Sequence, residues 1–116
     1  MNIQEQFNQA VKSNDIKNVK LLLNDNRVNP SDLNNWAIIE ASMGGHTDIV
    51  KLLLNDNRVN PAAYNWAIIN ASIEGHCDIV NLLWQDQRVK NSLKNDNEKL
   101  YNQLIKKDIK DKVEIF

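Results

Sequence analysis

Two histidine–aspartate pairs are the residues whose types and spacing could do chemistry. His46 stands two residues before Asp48, and His76 stands two residues before Asp78, with the single cysteine of the chain, Cys77, between them. Imidazole, carboxylate and thiolate groups are zinc ligands, and a cysteine beside a base can act as a nucleophile. The pattern therefore raises two hypotheses, a metal site and a thiol-based catalytic site.

The spacing argues against both hypotheses. On a helix, side chains two residues apart point to different sides, because neighbours face each other at three and four residues. If the two segments are packed helices, their histidines lie roughly 10 Å apart, which one metal ion cannot bridge. We therefore interpret the pairs as structural. We expect no catalytic residue, no metal ligand and no cofactor, and we predict that the chain is not an enzyme.

The pairs belong to a longer segment that is written several times. Residues 44–61 read GGHTDIVKLLLNDNRVNP, residues 74–89 read EGHCDIVNLLWQDQRV, and residues 14–30 contain the weaker version NDIKNVKLLLNDNRVNP. A fixed period between 20 and 50 residues indicates stacked supersecondary units. Such a unit cannot bury both of its faces alone, so it is stable only when it is stacked on neighbours.

Each unit is predicted to be helix, turn, helix and loop. The second helix carries a one-sided apolar stripe, which in the second unit consists of Ile49, Val50, Leu53 and Leu54. Glycines at 45 and 75 break the chain between the two helices. After the second helix, we expect Asn26 and Asn57 to take the left-handed conformation that ends a helix. A proline four residues later prevents the helix from continuing.

The two ends of the chain are predicted to act as caps. Residues 2–13 place apolar side chains on one helical side, and residues 97–116 continue with apolar residues spaced by three and four. Solenoids need terminal helices with a polar outer face for solubility. Trp84 replaces the residue equivalent to Leu54, and we expect its ring to fill the junction with the final helix.

The segment ASMGGHTDIVKLLL, residues 41–54, and its near copy at residues 71–84 resemble the core of the ankyrin repeat. The resemblance covers residues from about 7 to 90. It implies an all-α ankyrin-repeat solenoid of stacked helix-turn-helix units with shortened hairpin fingers and a C-terminal capping helix, because the period is about 30 residues where the family standard is about 33. The chain is then one domain, with an N-terminal capping repeat at 2–30, repeats at 31–60 and 61–90, and a C-terminal cap at 91–116.

The opening of the first helix departs from the family pattern. Where the family has Thr-Pro-Leu-His, this chain has Trp-Ala-Ile-Ile at residues 36–39 and again at residues 66–69. The side-chain hydrogen bonds of that turn cannot form with these residues. We expect the indoles of Trp36 and Trp66 to pack between neighbouring repeats instead.

The resemblance implies a partner protein bound by the concave face. Positions that differ between the two full repeats correspond in the family to the finger tips and to the exposed side of the first helix. The predicted partner-binding residues are Leu33, Asn34, Glu40, Met43, Tyr64, Asn70, Ile73 and Glu74. The alternative interpretations are drift on an unused surface and partial burial beneath the neighbouring repeat. A second hypothesis is a structural, self-associating module of a larger assembly, joined near Ile3 and Phe7 or near Val113–Phe116.

Composition excludes other classes of partner. The formal net charge is −1, so no global field selects nucleic acid. The basic segment KKDIKDK at residues 106–112 is interrupted by acids and is interpreted as a solvated face. No apolar run is long enough for a membrane span, and the first residues lack the pattern of a signal peptide. We expect a cytoplasmic monomer that binds neither nucleic acid nor membrane.

Three further alternatives stay open from the sequence. Cys77 stands at a predicted helix start, where a thiol pKa can be lowered, so a redox role is an alternative to a plain surface residue. Asn29 and Asn60 resemble the family's context for asparagine hydroxylation, although Arg27 and Arg58 stand where an acidic residue is usual. The LLLNDNRVNP variant resembles ankyrin proteins of large DNA viruses of amoebae and of AT-rich protists, which would make the partner a host protein in the host cytoplasm.

Overall fold

The regular structure of the described chain is helical. The computed structural model describes residues 1–113, apart from the side chains of Tyr64, Ile109 and residues 111–113. The α-helices within this part are α1 (Ile3–Lys12), α2 (Ile16–Leu23), α3 (Asp32–Met43), α4 (Thr47–Leu54), α5 (Trp66–Ile73), α6 (Cys77–Trp84), α7 (Gln87–Asp96) and α8 (Glu98–Val113). A 3₁₀ turn, Ala63–Asn65, precedes α5.

The helices alternate between two layers. Helices α1, α3 and α5 pack side by side in one layer, which we call the inner row, and α2, α4 and α6 form the outer row. Each inner helix also packs against the outer helix that follows it in the chain. The predicted all-α solenoid of stacked helix-turn-helix units is therefore confirmed.

A left-handed residue makes the turn between the two helices of each unit. Gly45 and Gly75 both have φ of +76°, a conformation that glycine adopts without steric cost. After Gly45, the N–H of His46 donates to the carbonyl oxygen of Ala41 at 2.9 Å, which closes the end of α3. In the first unit Asn14, with φ of 57°, takes the place of the glycine. The predicted break at the glycines is thus confirmed.

The loop that follows the outer helix differs from the sequence-based expectation. Left-handed residues at Asn26 and Asn57 were expected, and this prediction is wrong. Helices α2 and α4 end in right-handed residues, and the positive φ values occur further on, at Leu33, Asn34, Asn35 and Asn65. The reason is local: the Asp56 carboxylate accepts a hydrogen bond from the Arg58 N–H at 3.0 Å, an aspartate turn that reverses the chain without a positive φ.

Equivalent residues of successive repeats form one continuous core. The outer-row stripe contributes fully buried side chains to this core, namely Ile49, Leu53, Ile79 and Leu83. The inner row contributes Ile38, Ile68, Ala41 and Ala71. Burial of each large aliphatic side chain contributes about 1.5–3 kcal/mol to stability. Each repeat has to fill the same core positions, and this explains why the same residues recur in the sequence.

Two helices cap the C-terminal end of the stack. Trp84 is 6% exposed, and its ring meets the ring of Tyr101 on α8 edge-on, with 5.6 Å between centroids. The predicted junction at Trp84 is therefore confirmed. Helix α7 begins at Gln87, where the first two units have a loop, so the predicted boundary after residue 90 falls within a helix. Predictions that concern residues 114–116 lie outside the described residues.

Candidate functional site: the inner-row face

The second histidine–aspartate pair, His76 and Asp78, lies in contacts between repeats. The Nε2 atom of His76 lies 3.1 Å from the carbonyl oxygen of Met43, so the imidazole joins the third unit to the turn of the second. The hydroxyl of Thr47 donates to Oδ2 of Asp78 at 3.0 Å, and this hydrogen bond lowers the pKa of the Asp78 carboxyl. Both contacts hold one repeat against the next, in agreement with the structural interpretation of this pair.

The described side chains offer few groups for chemistry. Within residues 1–113, no three or more His, Cys, Asp or Glu side chains are grouped so that they could hold a metal ion. Cys77 is exposed at the first residue of α6. In the same part of the chain, no helix combines the length and the apolar character needed to cross a membrane.

A second repeated motif forms contacts between repeats, and the sequence reasoning missed its role. Arg58 donates from Nη1 to the carbonyl oxygen of Val28 at 3.0 Å and from Nη2 to that of Leu23 at 3.1 Å. Arg88 donates from Nη1 to the carbonyl oxygen of Val59 at 3.0 Å. Each guanidinium group therefore links the segment that follows its own outer helix to the preceding repeat.

An aspartate two residues earlier orients each of these arginines. Asp56 accepts from the Arg58 guanidinium at 2.7 Å, and Asp86 accepts from that of Arg88 at 2.8 Å. The hydrogen bond from the arginine lowers the pKa of both carboxyl groups. The signal was present in the sequence, because Asp-x-Arg occurs at residues 25–27, 56–58 and 86–88, with the period of the repeat.

Most of the predicted partner-binding residues are exposed on the inner row or on the turn before it. Leu33, Met43 and Ile73 are 67%, 39% and 73% exposed, which is unusual for large apolar side chains. Of the polar residues, Asn34 and Glu74 are exposed, and Glu40 and Asn70 are partly buried. The side chain of Tyr64 lies outside the described residues.

Trp66 joins this surface, contrary to the expectation that it packs between repeats. Trp36 is partly buried against the core, whereas Trp66 is 51% exposed. Trp36 lies on α3, and α5 packs beside α3 as the next helix of the inner row. The inner row is not extended in the same way beyond α5, because α7 packs against α6 and the turn at residues 63–65. Helical spacing of four and seven residues places Trp66 on the same side of α5 as Asn70 and Ile73.

We call the seven described predicted residues together with Trp66 the inner-row face. Sequence comparison between repeats missed Trp66, because a residue that is identical in both repeats was interpreted as packing. Its seven-residue distance from Ile73 was the signal that could have placed it on this face. Glu40 lies three residues before Met43 on α3. Glu74 directly follows Ile73 at the end of α5. The face therefore combines apolar groups with negative charge.

The turn that carries Leu33 is strained. Leu33, Asn34 and Asn35 all have left-handed backbone angles, with φ of 54°, 55° and 65°. For a residue with a Cβ atom this conformation costs about 1–2 kcal/mol, and asparagine adopts it more readily than leucine does. Strain of this kind is found at functional sites more often than elsewhere, and here it holds an exposed leucine at the edge of the inner-row face.

Stacked helix pairs joined by regular contacts between repeats define a helical repeat protein. A family model for ankyrin repeats in three copies matches residues 7–95, and the chain belongs to the ankyrin-repeat family. None of the curated proteins and none of the solved structures that were compared with the chain matches it. Ankyrin repeats generally mediate protein–protein interactions and are typically not enzymes.

Proposed function

We propose that this chain is a non-catalytic module that binds another protein through the inner-row face, which corresponds to the concave face of ankyrin repeats. The observation that carries the proposal is the exposure of Met43, Trp66 and Ile73 on neighbouring helices of one row. Exposed apolar groups with a polar border are typical of protein interfaces. A few such anchors usually supply most of the binding free energy.

The charge of the face indicates the chemistry of the partner. Glu40 and Glu74 accompany the apolar residues on α3 and α5, and Asp32 stands next to the exposed Leu33. Complementary charges favour association and select against wrong partners. The partner segment is therefore one that presents apolar side chains with lysine or arginine beside them. The resemblance of the LLLNDNRVNP segments to viral ankyrin proteins would make that partner a host protein in the host cytoplasm.

Affinity capture from a cell lysate, with identification by mass spectrometry, tests the proposal when three proteins are compared. Wild type is run beside Ile73→Glu, which places a charge on the inner-row face. The control is Asn81→Glu, which adds the same charge at an exposed position of the outer row. All three should give the same circular dichroism spectrum, because both substituted side chains are exposed. We expect wild type and Asn81→Glu to capture the same proteins and Ile73→Glu to lose them.

A purified partner then allows the affinity to be measured. Loss of a central anchor should weaken binding about 30-fold or more, the effect of a hot-spot residue. Glu40→Gln and Glu74→Gln should weaken binding by a smaller factor and reduce its dependence on salt. Equal binding by wild type and Ile73→Glu would show that the interface lies elsewhere. An affinity that does not depend on salt would contradict the proposal that the partner is basic. It would not contradict the proposal that the inner-row face is the interface.

A further inference from the structure

The first unit of the stack exposes a leucine whose equivalents in the next two units are partly buried. Leu21 is 61% exposed, whereas Leu52 and Leu82, at the same position of the next two units, are partly buried. Leu82 lines a groove together with Lys51 of α4. The side chain at this position therefore faces the outer helix of the preceding repeat. Helix α2 is the first outer helix, and within residues 1–113 no earlier outer helix covers Leu21.

Arg27 follows the same pattern. Its equivalents Arg58 and Arg88 donate to carbonyl oxygens of the preceding repeat, and their side chains are 39% and 48% exposed. The side chain of Arg27 is 69% exposed, and its guanidinium hydrogen bonds within the described chain are made to Asp25. The first unit thus ends in an exposed copy of the surface through which repeats stack.

A groove of about 380 Å³ runs between α1 and α2 at this end of the molecule. Its lining combines apolar side chains with uncharged amides: Met1, Leu21, Leu22, Gln6, Gln9 and Asn18. The charged residue in the lining, Asp15, accepts hydrogen bonds from the backbone and the side chain of Asn18 at 3.2 and 2.7 Å. We call this groove together with Arg27 the N-terminal face.

We propose that the N-terminal face binds the same face of a second copy of this chain and forms a twofold-symmetric dimer. Amide side chains both donate and accept hydrogen bonds, so a surface of amides and aliphatic groups is complementary to itself. A twofold interface requires this kind of self-complementarity.

Within residues 1–113, the opposite end of the molecule does not offer an equivalent surface. The carbonyl that accepts from Arg88 belongs to Val59 in a loop, but the equivalent residue, Val89, lies within α7. Helix α8 exposes the basic residues Lys99, Lys106, Lys107 and Lys110. A basic end repels Arg27 and lacks the loop carbonyls that receive its equivalents, so a head-to-tail filament is disfavoured.

The size of this end indicates a weak dimer. The two shorter dimensions of the molecule are 27 and 23 Å, so contact across the whole end buries about 1,200 Å² in total, the lower limit for stable specific interfaces. The proposal is independent of the inner-row face. The sequence-based hypothesis placed self-association near Ile3 and Phe7. The proposed surface differs, because Phe7 is fully buried and is not available to a second copy.

Sedimentation velocity of the full chain tests the proposal. Between about 1 µM and about 1 mM, the range in which small interfaces associate, the mass should rise from 13.4 kDa to twice that value and stop there. Leu21→Glu should stay monomeric with an unchanged circular dichroism spectrum, since Leu21 is exposed. Ile73→Glu introduces the same charge at an exposed side chain of the other face, and it should dimerise like wild type.

Cross-linking supplies a second readout. In a Cys77→Ser background, a short bifunctional thiol cross-linker should join Leu21→Cys into dimers and should leave Ile73→Cys monomeric. Wild type that is monomeric throughout the range would overturn the proposal, and so would species larger than a dimer. Dimers that persist in Leu21→Glu, or that are lost in Ile73→Glu, would overturn it as well. The last result would place self-association on the inner-row face without deciding whether that face binds a partner.

Discussion

The guanidinium group of Arg88 donates a hydrogen bond to the carbonyl oxygen of Val59, 29 residues earlier in the chain, at 3.0 Å. Arg58 makes the same bond to Val28, 30 residues earlier. The carbonyl groups in the loop after an outer helix have no partner within that helix. The arginine of the next repeat donates a hydrogen bond to one of them. These bonds couple neighbouring repeats directly, and therefore they can be tested by the stability of the whole stack.

Replacement of Arg58 by methionine should destabilise the protein by about 1 kcal/mol, because it removes the donor to the carbonyl oxygens of Val28 and Leu23. The expected destabilisation is small because the Arg58 side chain is 39% exposed and solvent screens its interaction with Asp56. Urea denaturation measures the change. Arg27→Met is the matched control, since Arg27 bonds to Asp25 rather than to another repeat, and it should destabilise the protein less than Arg58→Met does. Equal losses from the two variants would contradict the coupling role.

A comparison of alanine substitutions at Gly45 and Gly75 distinguishes the cost of backbone strain from the cost of a steric clash. Both have φ of +76°, so substitution by alanine should cost about 1 kcal/mol at either position. A Cβ atom on Gly45 would also lie 2.8 Å from the His76 ring, whereas one on Gly75 meets nothing within 4 Å. Gly45→Ala should therefore lower the melting temperature more than Gly75→Ala does.

The double variant Gly45→Ala/His76→Ala identifies the source of that difference. Removal of the His76 imidazole also removes the obstacle to the new Cβ atom, so the two losses should be less than additive. Strict additivity in thermal unfolding would show that the His76 ring moves aside without cost.

Asn35 and Asn65 are equivalent in backbone conformation and differ in their hydrogen bonds. Both are left-handed, but Oδ1 of Asn35 accepts from the N–H of Asn60 at 2.8 Å, whereas Oδ1 of Asn65 is buried and has no hydrogen-bond partner among the described residues. Asn35→Ala should therefore cost about 1 kcal/mol more than Asn65→Ala, as measured by urea denaturation. A larger loss at Asn65 would contradict the assignment of its amide.

Asp25 should remain ionised to unusually low pH. Hydrogen bonds from Arg27 lower the pKa of its carboxyl group from 3.8 to about 2. Since the pKa is lower in the folded state, this carboxylate stabilises the fold above pH 3.8, and its contribution is lost as the pH falls towards about 2. Titration of the carboxyl carbon by NMR measures the value.

Arg27→Gln is the control for this titration. It should raise the pKa of Asp25 towards its usual value, although not completely, because the backbone N–H of residue 27 still donates to the carboxylate. An unchanged pKa in Arg27→Gln would show that the guanidinium group is not the cause of the shift.

Local sequence patterns determined the helical repeat architecture of this protein. The apolar stripe of the outer helices, the glycines at 45 and 75 and the 30-residue spacing of Trp36 and Trp66 predicted stacked helix pairs, and the structure has them. These features depend on residues within one repeat, where spacing and backbone preference act directly. The structural interpretation of the His–Asp pairs followed from the same local argument.

Only the tertiary structure decided what each repeated residue contacts. Leu21 and Leu52 occupy the same position of their repeats, but Leu21 is 61% exposed and Leu52 is partly buried. Trp36 and Trp66 differ in the same way. The physical reason is that burial in a stack depends on the neighbouring unit, and identical residues have different neighbours in the middle and at the ends of the stack.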